Sequence, residues 1–235
     1  MSLSRNAKLK LSYSSIIAGI FVAIIAGIYE QDVNLARMAS EKFYANLNET
    51  YASEPAEEEP TAPDWYGKVD INLAELQKVN PDVVGWIFFE NEPISYPILY
   101  SGDNETYLRH TYTKEYAIAG SIFIDYHNKP DFSDPRTMIH GHNLEDDSTM
   151  FSRIVHFLDD NYYEEHRFFQ IIANNKAYRY EIYNAEIVEP DDNIYSSVAS
   201  DRGESDKHLI LLSTCYDHSA KRVIVTAKRV DEYNF

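Results

Sequence analysis

The chain has one cysteine, Cys215, in 235 residues. An intramolecular disulfide is therefore excluded, and an exported fold would have to stand without covalent staples. Basic residues are also scarce. The 21 Lys and Arg face 38 Asp and Glu, for a net charge of −17. Nucleic-acid binding depends on basic patches that displace counterions, so this balance argues against it. Gly and Pro, at 8 and 9, are too few for a fibrous or low-complexity chain. Charge of either sign is missing from residues 11–29, LSYSSIIAGIFVAIIAGIY. Aromatic residues, in contrast, are abundant, with 19 Tyr, 11 Phe and 2 Trp. The length suits one well-packed domain with appendages.

The uncharged run organises the N-terminal quarter. Its 19 residues span about 28 Å as a helix, against a hydrocarbon core of about 30 Å. Three basic residues and no acidic ones precede Glu30, whereas 18 basic and 38 acidic residues follow from that point. This asymmetry predicts a cytoplasmic tail over 1–10, a transmembrane signal anchor over 11–29 and an extracellular remainder. A cleaved signal peptide competes with this reading, with small residues near Ala26 as a weak cleavage site. Residues 30–64 read as a helical stalk followed by an acidic, Pro-rich spacer, SEPAEEEPTAPD, which proline and charge repulsion would keep extended. The main globular domain is expected over 65–235.

Within that domain the pattern is mostly β. Short runs rich in β-branched and aromatic residues occur at 83–89, 94–99, 120–125, 137–139, 168–173, 177–187, 208–213 and 222–227. Asn174-Asn175 supplies a turn that tolerates positive φ between the fifth and sixth. Asn72 can cap a short helix that ends at Asn80-Pro81, and 147–158 has apolar residues at helical spacing. Residues 191–206 read as a polar, helix-containing loop. Eight short strands with few helices predict a closed or nearly closed β-barrel with flanking helices.

The residues able to carry chemistry gather around KHLILLSTCYDHSAKRVIVTAKR, 207–229. A lone cysteine is most often a small buried hydrophobe. Here Ser213, Thr214, Tyr216 and Asp217 surround Cys215, as where a strand leaves the core. A thiolate needs a neighbouring base or cation. Of the eight histidines, His142 in MIHGHN stands out, because it follows a short apolar run and Gly141, where a turn can aim a side chain outward. His140, two residues earlier, is its main competitor. The two could instead ligate a metal, but no third ligand is evident. Arg222 opens the next strand and can donate to a carbonyl or a developing oxyanion. Asp217 could orient His142, although capping the turn is its simpler role.

LLSTC with Cys215, Arg222 at the head of the following strand, and GHN with His142 resemble the sortases, membrane-anchored cysteine transpeptidases of Gram-positive bacteria. NPDVVGWIFF (80–89), SYPILY (95–100), GSIFIDY (120–126), STMF (148–151) and the polar insert at 191–206 look like class B members. The resemblance covers about 65–230 and implies an eight-stranded sortase barrel. It further implies Cys215 as nucleophile, His142 as general acid and base and Arg222 as oxyanion clamp, with Asp217, Ser213 and Thr214 in supporting positions. No cofactor or metal is implied. The implied partners are secreted proteins with an LPxTG- or NPxTx-like sorting signal. The implied acceptor is an amine of the peptidoglycan precursor lipid II or, alternatively, a pilin lysine. The turn from Cys215 to Arg222 is short, a departure that bears on the substrate groove. A plain cysteine peptidase and a tethered peptide- or sugar-binding β-domain are the competing readings. Papain-like signatures around the cysteine are absent. A binding domain would leave the spacing of GHN, STC and Arg222 unexplained.

Overall fold

In the computed structural model, the described residues are 5–53, 62–66, 70–144, 147–196, 208–217 and 219–235. The spacer residues 54–61, the end of the polar insert (197–207) and His218 lie outside them. Eight strands close a barrel: β1 (Val83–Phe89), β2 (Ser95–Leu99), β3 (Ile122–Ile124), β4 (Arg136–His140), β5 (Phe168–Ala173), β6 (Lys176–Val188), β7 (Leu209–Cys215) and β8 (Arg222–Asn234). Their order around the barrel is β8-β6-β5-β1-β2-β3-β4-β7. All eight runs expected from the sequence are present, and β8 extends seven residues beyond its expected end at Ala227. The β5–β6 hairpin turns on Asn174 and Asn175 at φ 55° and 57°, where asparagine tolerates left-handed backbone better than most residues.

Two ladders are parallel, β2 with β3 and β4 with β7. Parallel neighbours need a crossover connection, and the one from β4 to β7 carries three short helical segments. They comprise a 3₁₀ helix (Ser152–Leu158), α3 (Asp160–His166) and α4 (Asn193–Ser196). The segment expected to be helical over 147–158 thus forms only from Ser152, as a 3₁₀ helix, and α3 follows at once. Glu92, buried beside β2, accepts from Arg153 and Tyr162 of this module and lies 3.4 Å from His166 Nε2.

The interior is aromatic and branched, with Trp86, Phe89, Phe169 and Tyr180 among its fully buried side chains. Burying each stabilises the fold by about 1.5–3 kcal/mol. β7 is buried on both faces. Ile210 and Leu212 join the main core, whereas Leu209 and Leu211 form a second cluster with Met138, Val188 and Ile224, against which Ile194 and Tyr195 of α4 pack. The start of the polar insert therefore packs on the outer face of the strand that ends at Cys215.

Before the barrel, α1 runs unbroken over Arg5–Tyr51, and α2 spans Leu73–Val79 with Asn72 Oδ1 accepting from Glu75 N as its cap. Two compact units divide at Ala39, and the second is Ser40–Phe235. The last turns of α1, read from sequence as stalk, belong to this second unit. Ser40, Tyr44 and Leu47 are buried in it, whereas Leu35 and Met38 are exposed. The uncharged run 11–29 is helical, although the side chains of 11–19 and 21 lie outside those described. Among the described residues, no helix is long and apolar enough to cross a membrane. The expected transmembrane helix is thus not found in the fold, and the anchor reading is carried by sequence alone.

Asn80, the C-cap of α2, ties down the segment that later carries Leu108. Its amide donates to Tyr107 Oη and to Tyr112 O, both at 2.7 Å, and its Oδ1 accepts from Asp82 N at 3.0 Å.

Candidate active site

Cys215 ends β7 and is half-buried. The antiparallel register sets Arg222, the first residue of β8, directly opposite it. Directly opposed residues share a face of the sheet. That face is the outer one, because two residues earlier Ser213 opposes Ile224 of the outer cluster. The turn between the strands is closed by Tyr216 N donating to Lys221 O at 3.0 Å.

His142 reaches the same place from the other side of β7. Parallel pairing of β4 with β7 sets His140 opposite Ser213. Three bonds then continue the lacing beyond the strand end. Gly141 N donates to Ser213 O at 3.1 Å, Thr214 Oγ1 to Gly141 O at 2.8 Å and Asn143 Nδ2 to the carbonyl of Cys215 at 3.0 Å. Gly141 is required here for close packing rather than for the turn read from sequence. A Cβ there would lie 2.5 Å from Ile122 Cδ1 and 2.6 Å from Phe151 Cδ2, closer than packed atoms approach.

Cys215, His142, Arg222, Ser213 and Thr214 all line one cleft of about 260 Å³, walled by Leu108 and Phe123 and by Tyr195 of the insert. His142 Nε2 lies 2.7 Å from the carbonyl oxygen of Leu108. A carbonyl only accepts, so Nε2 carries the hydrogen and Nδ1 is left as the nitrogen that gains and loses a proton. Burial pushes the His142 pKa down, against the Leu108 bond, and the charges of Arg109 and Arg222 push it the same way. Its resting form at neutral pH is the neutral imidazole. Arg222 Nη1 donates to Ala220 O at 2.5 Å and Lys221 O at 3.1 Å, so the guanidinium already holds carbonyl oxygens. Tyr195 Oη lies 3.3 Å from Ser213 Oγ, and burial raises its pKa while Arg222 lowers it and Cys215 raises it.

The remaining expected residues fall elsewhere. Asp217 sits in the turn at φ 48°, exposed, and lines a separate cleft with Asn143, Asp147 and His156. His140 lines the main cleft, with Nε2 3.0 Å from Asp125 Oδ2. Among the described residues no group of His, Cys, Asp and Glu is placed to hold a metal. Three contributors escaped sequence reading. Asn143 was within view in GHN, and Asp125 ended an expected strand. The carbonyl of Leu108 has no side-chain signal at all.

Asp125 is buried, and burial alone would raise its pKa. Hydrogen bonds from His140, the backbone of His127 and Asn104 outweigh this and hold the carboxyl well below its usual range. A carboxyl lowered in the fold stabilises it above the unfolded value, about 3.9, and that stabilisation is lost as pH falls through the folded value. Asp125→Asn should therefore cost about 1–3 kcal/mol at pH 7 in urea unfolding, with the gap from the parent narrowing in acid. A gap independent of pH would contradict this.

Comparison with known proteins gives these elements a family. A family model described as Sortase domain matches residues 91–230. Sortase B of Listeria monocytogenes is 35% identical over 190 residues, covering 70% of this chain and 76% of the relative. Sortase B of Staphylococcus aureus is 29% identical over 177 residues, covering 65% and 72%. Among solved structures, Clostridium perfringens sortase B superposes with a TM-score of 0.60 at 27% identity, covering 68% of this chain and all of that one, 100%. A Staphylococcus aureus sortase B–substrate complex gives 0.61 at 25% identity, covering 67% and 84%. A matched domain, a shared barrel and a lone cysteine facing an arginine agree: the chain belongs to the sortase family, as a cysteine transpeptidase of its class B.

Proposed function

We propose that this transpeptidase cleaves a C-terminal sorting signal of secreted proteins and transfers them to an amine of the cell-wall precursor. The observation that carries the assignment of roles is the opposition of Cys215 and Arg222 across β7 and β8, with His142 laced to the same strand end. His142 takes the Cys215 proton, and the thiolate so formed attacks the carbonyl carbon of the threonine in an LPxTG- or NPxTx-like signal. Arg222 donates to the oxyanion. Imidazolium at His142 gives its proton to the leaving amine as the C–N bond breaks, leaving a thioacyl-enzyme. An incoming amine then attacks, His142 takes its proton, and the C–S bond breaks to regenerate the thiolate. Ser213 and Thr214 support the cleft, and Asp217 serves the turn.

The uncharged run 11–29 and its basic flank support an uncleaved single-pass anchor with residues 1–10 cytoplasmic and the catalytic domain outside. Such a tether would hold the enzyme where lipid-linked precursor and exported substrates meet and raise its effective concentration there. A pilin lysine is the alternative acceptor, and hydrolysis by a plain cysteine peptidase the alternative reaction.

Carbonate-washed membranes test the anchor: the intact chain should stay in the pellet, and release into the wash would refute the span. The chemistry is tested with the full chain in detergent and a panel of fluorogenic sorting peptides, with and without an amine. Cys215→Ala should reduce turnover to background, and unchanged turnover would refute the assignment. Arg222→Lys should lose about 10²–10³-fold in kcat, because a point charge does not replace the planar fork. Hydrolysis without aminolysis would favour the peptidase.

A further inference from the structure

We infer that Tyr44, on the last turns of α1, is a positioning residue for His142. The inference rests on the proposed role of His142. Two separate routes connect the residues, one from the Tyr44 hydroxyl and one from its ring.

Tyr44 is buried, and its hydroxyl donates to Gly120 O at 2.6 Å and lies 3.1 Å from Ser121 Oγ. Gly120 holds φ at 57° and sits against the carbonyls of Tyr107 and Leu108, where an added Cβ would come within 2.6 Å and 2.5 Å of their oxygens. Ser121 ties into the same segment, its N donating to Tyr107 O at 2.9 Å and its Oγ to His110 O at 2.8 Å. The carbonyl of Leu108 on this ledge receives the Nε2 hydrogen of His142. The hydroxyl thus fixes the strip of backbone that selects the tautomer of His142.

The ring takes the other route. It packs edge-on against Tyr96, with centroids 5.3 Å apart. Tyr96 Oη accepts from Met150 N at 3.2 Å. Met150 bridges to Asn143, and Phe151 N donates to His142 O at 3.0 Å. The backbone on which His142 stands and the acceptor that holds its ring therefore both lean on one tyrosine. The hydroxyl bond and the edge-on ring contact thus brace the two supports of the imidazole from one side chain.

Tyr44→Phe in the full chain keeps the ring contact and removes the hydroxyl bonds. Its kcat for peptide transfer should fall about tenfold, the scale of a small misplacement, with KM within about twofold. The His142 imidazole, followed by NMR in ring-labelled protein and assigned with His142→Gln, should titrate at lower pH than in the parent, because the Leu108 bond favours the charged ring. Ser121→Ala, which leaves Tyr44 in place, should shift it in the same direction. A lower melting temperature with His142 titration and kcat unchanged would show a merely structural tyrosine and overturn the inference. The NMR readout does not depend on turnover, so failure of the catalytic assignment would appear separately, as an active His142→Gln.

Discussion

The parallel pairing of β4 with β7 is the constraint on which the site depends. Sequence separates His142 from Cys215 by more than seventy residues, and only this ladder makes them neighbours. Its register is fixed by burial on both faces of β7, since slipping one residue would exchange Ile210 and Leu212 for Leu211 and Ser213 on the interior face. The lacing of Gly141, Thr214 and Asn143 beyond the strand end extends that register to the reacting groups. On the other flank, the β7–β8 ladder brings Arg222 to the same face with no additional device.

The electrostatics of the cleft follow from this crowding. Burial and the positive charges of Arg109 and Arg222 favour the neutral imidazole at rest. A thiolate formed in the cleft would favour the protonated ring, because an opposite charge nearby stabilises it. The site therefore suits a reaction that creates charge in pairs. Tyr195 packs with Ile194 on apolar side chains of the outer face of β7 and also lines the cleft, so a residue that completes the fold also shapes the site.

The barrel was legible because its strands obey local rules. Branched and aromatic runs bounded by turn residues marked all eight strands, and Asn174-Asn175 marked a hairpin. Cys215, His142 and Arg222 were legible as candidates by type and spacing, and the fold brings them to one cleft. Their supports were less so. The role of Gly141 was misread because a glycine in sequence does not distinguish positive φ from close packing, and only the neighbours Ile122 and Phe151 decide. The helical stalk was read as ending outside the domain, because the partners of Tyr44, Gly120 and Ser121, lie more than seventy residues away in sequence. The carbonyl of Leu108 could not be foreseen, since every residue has one.

Convergence of His142 and Arg222 on a Cys215 nucleophile is the central claim, and trapping the intermediate tests it most directly. The enzyme, mixed with a sorting peptide without amine and quenched in acid, is examined by mass spectrometry. The account requires an adduct equal to the peptide's acyl portion on the fragment containing Cys215, lost within turnover time once an amine is added. Peptide consumed with no adduct on that fragment would contradict it.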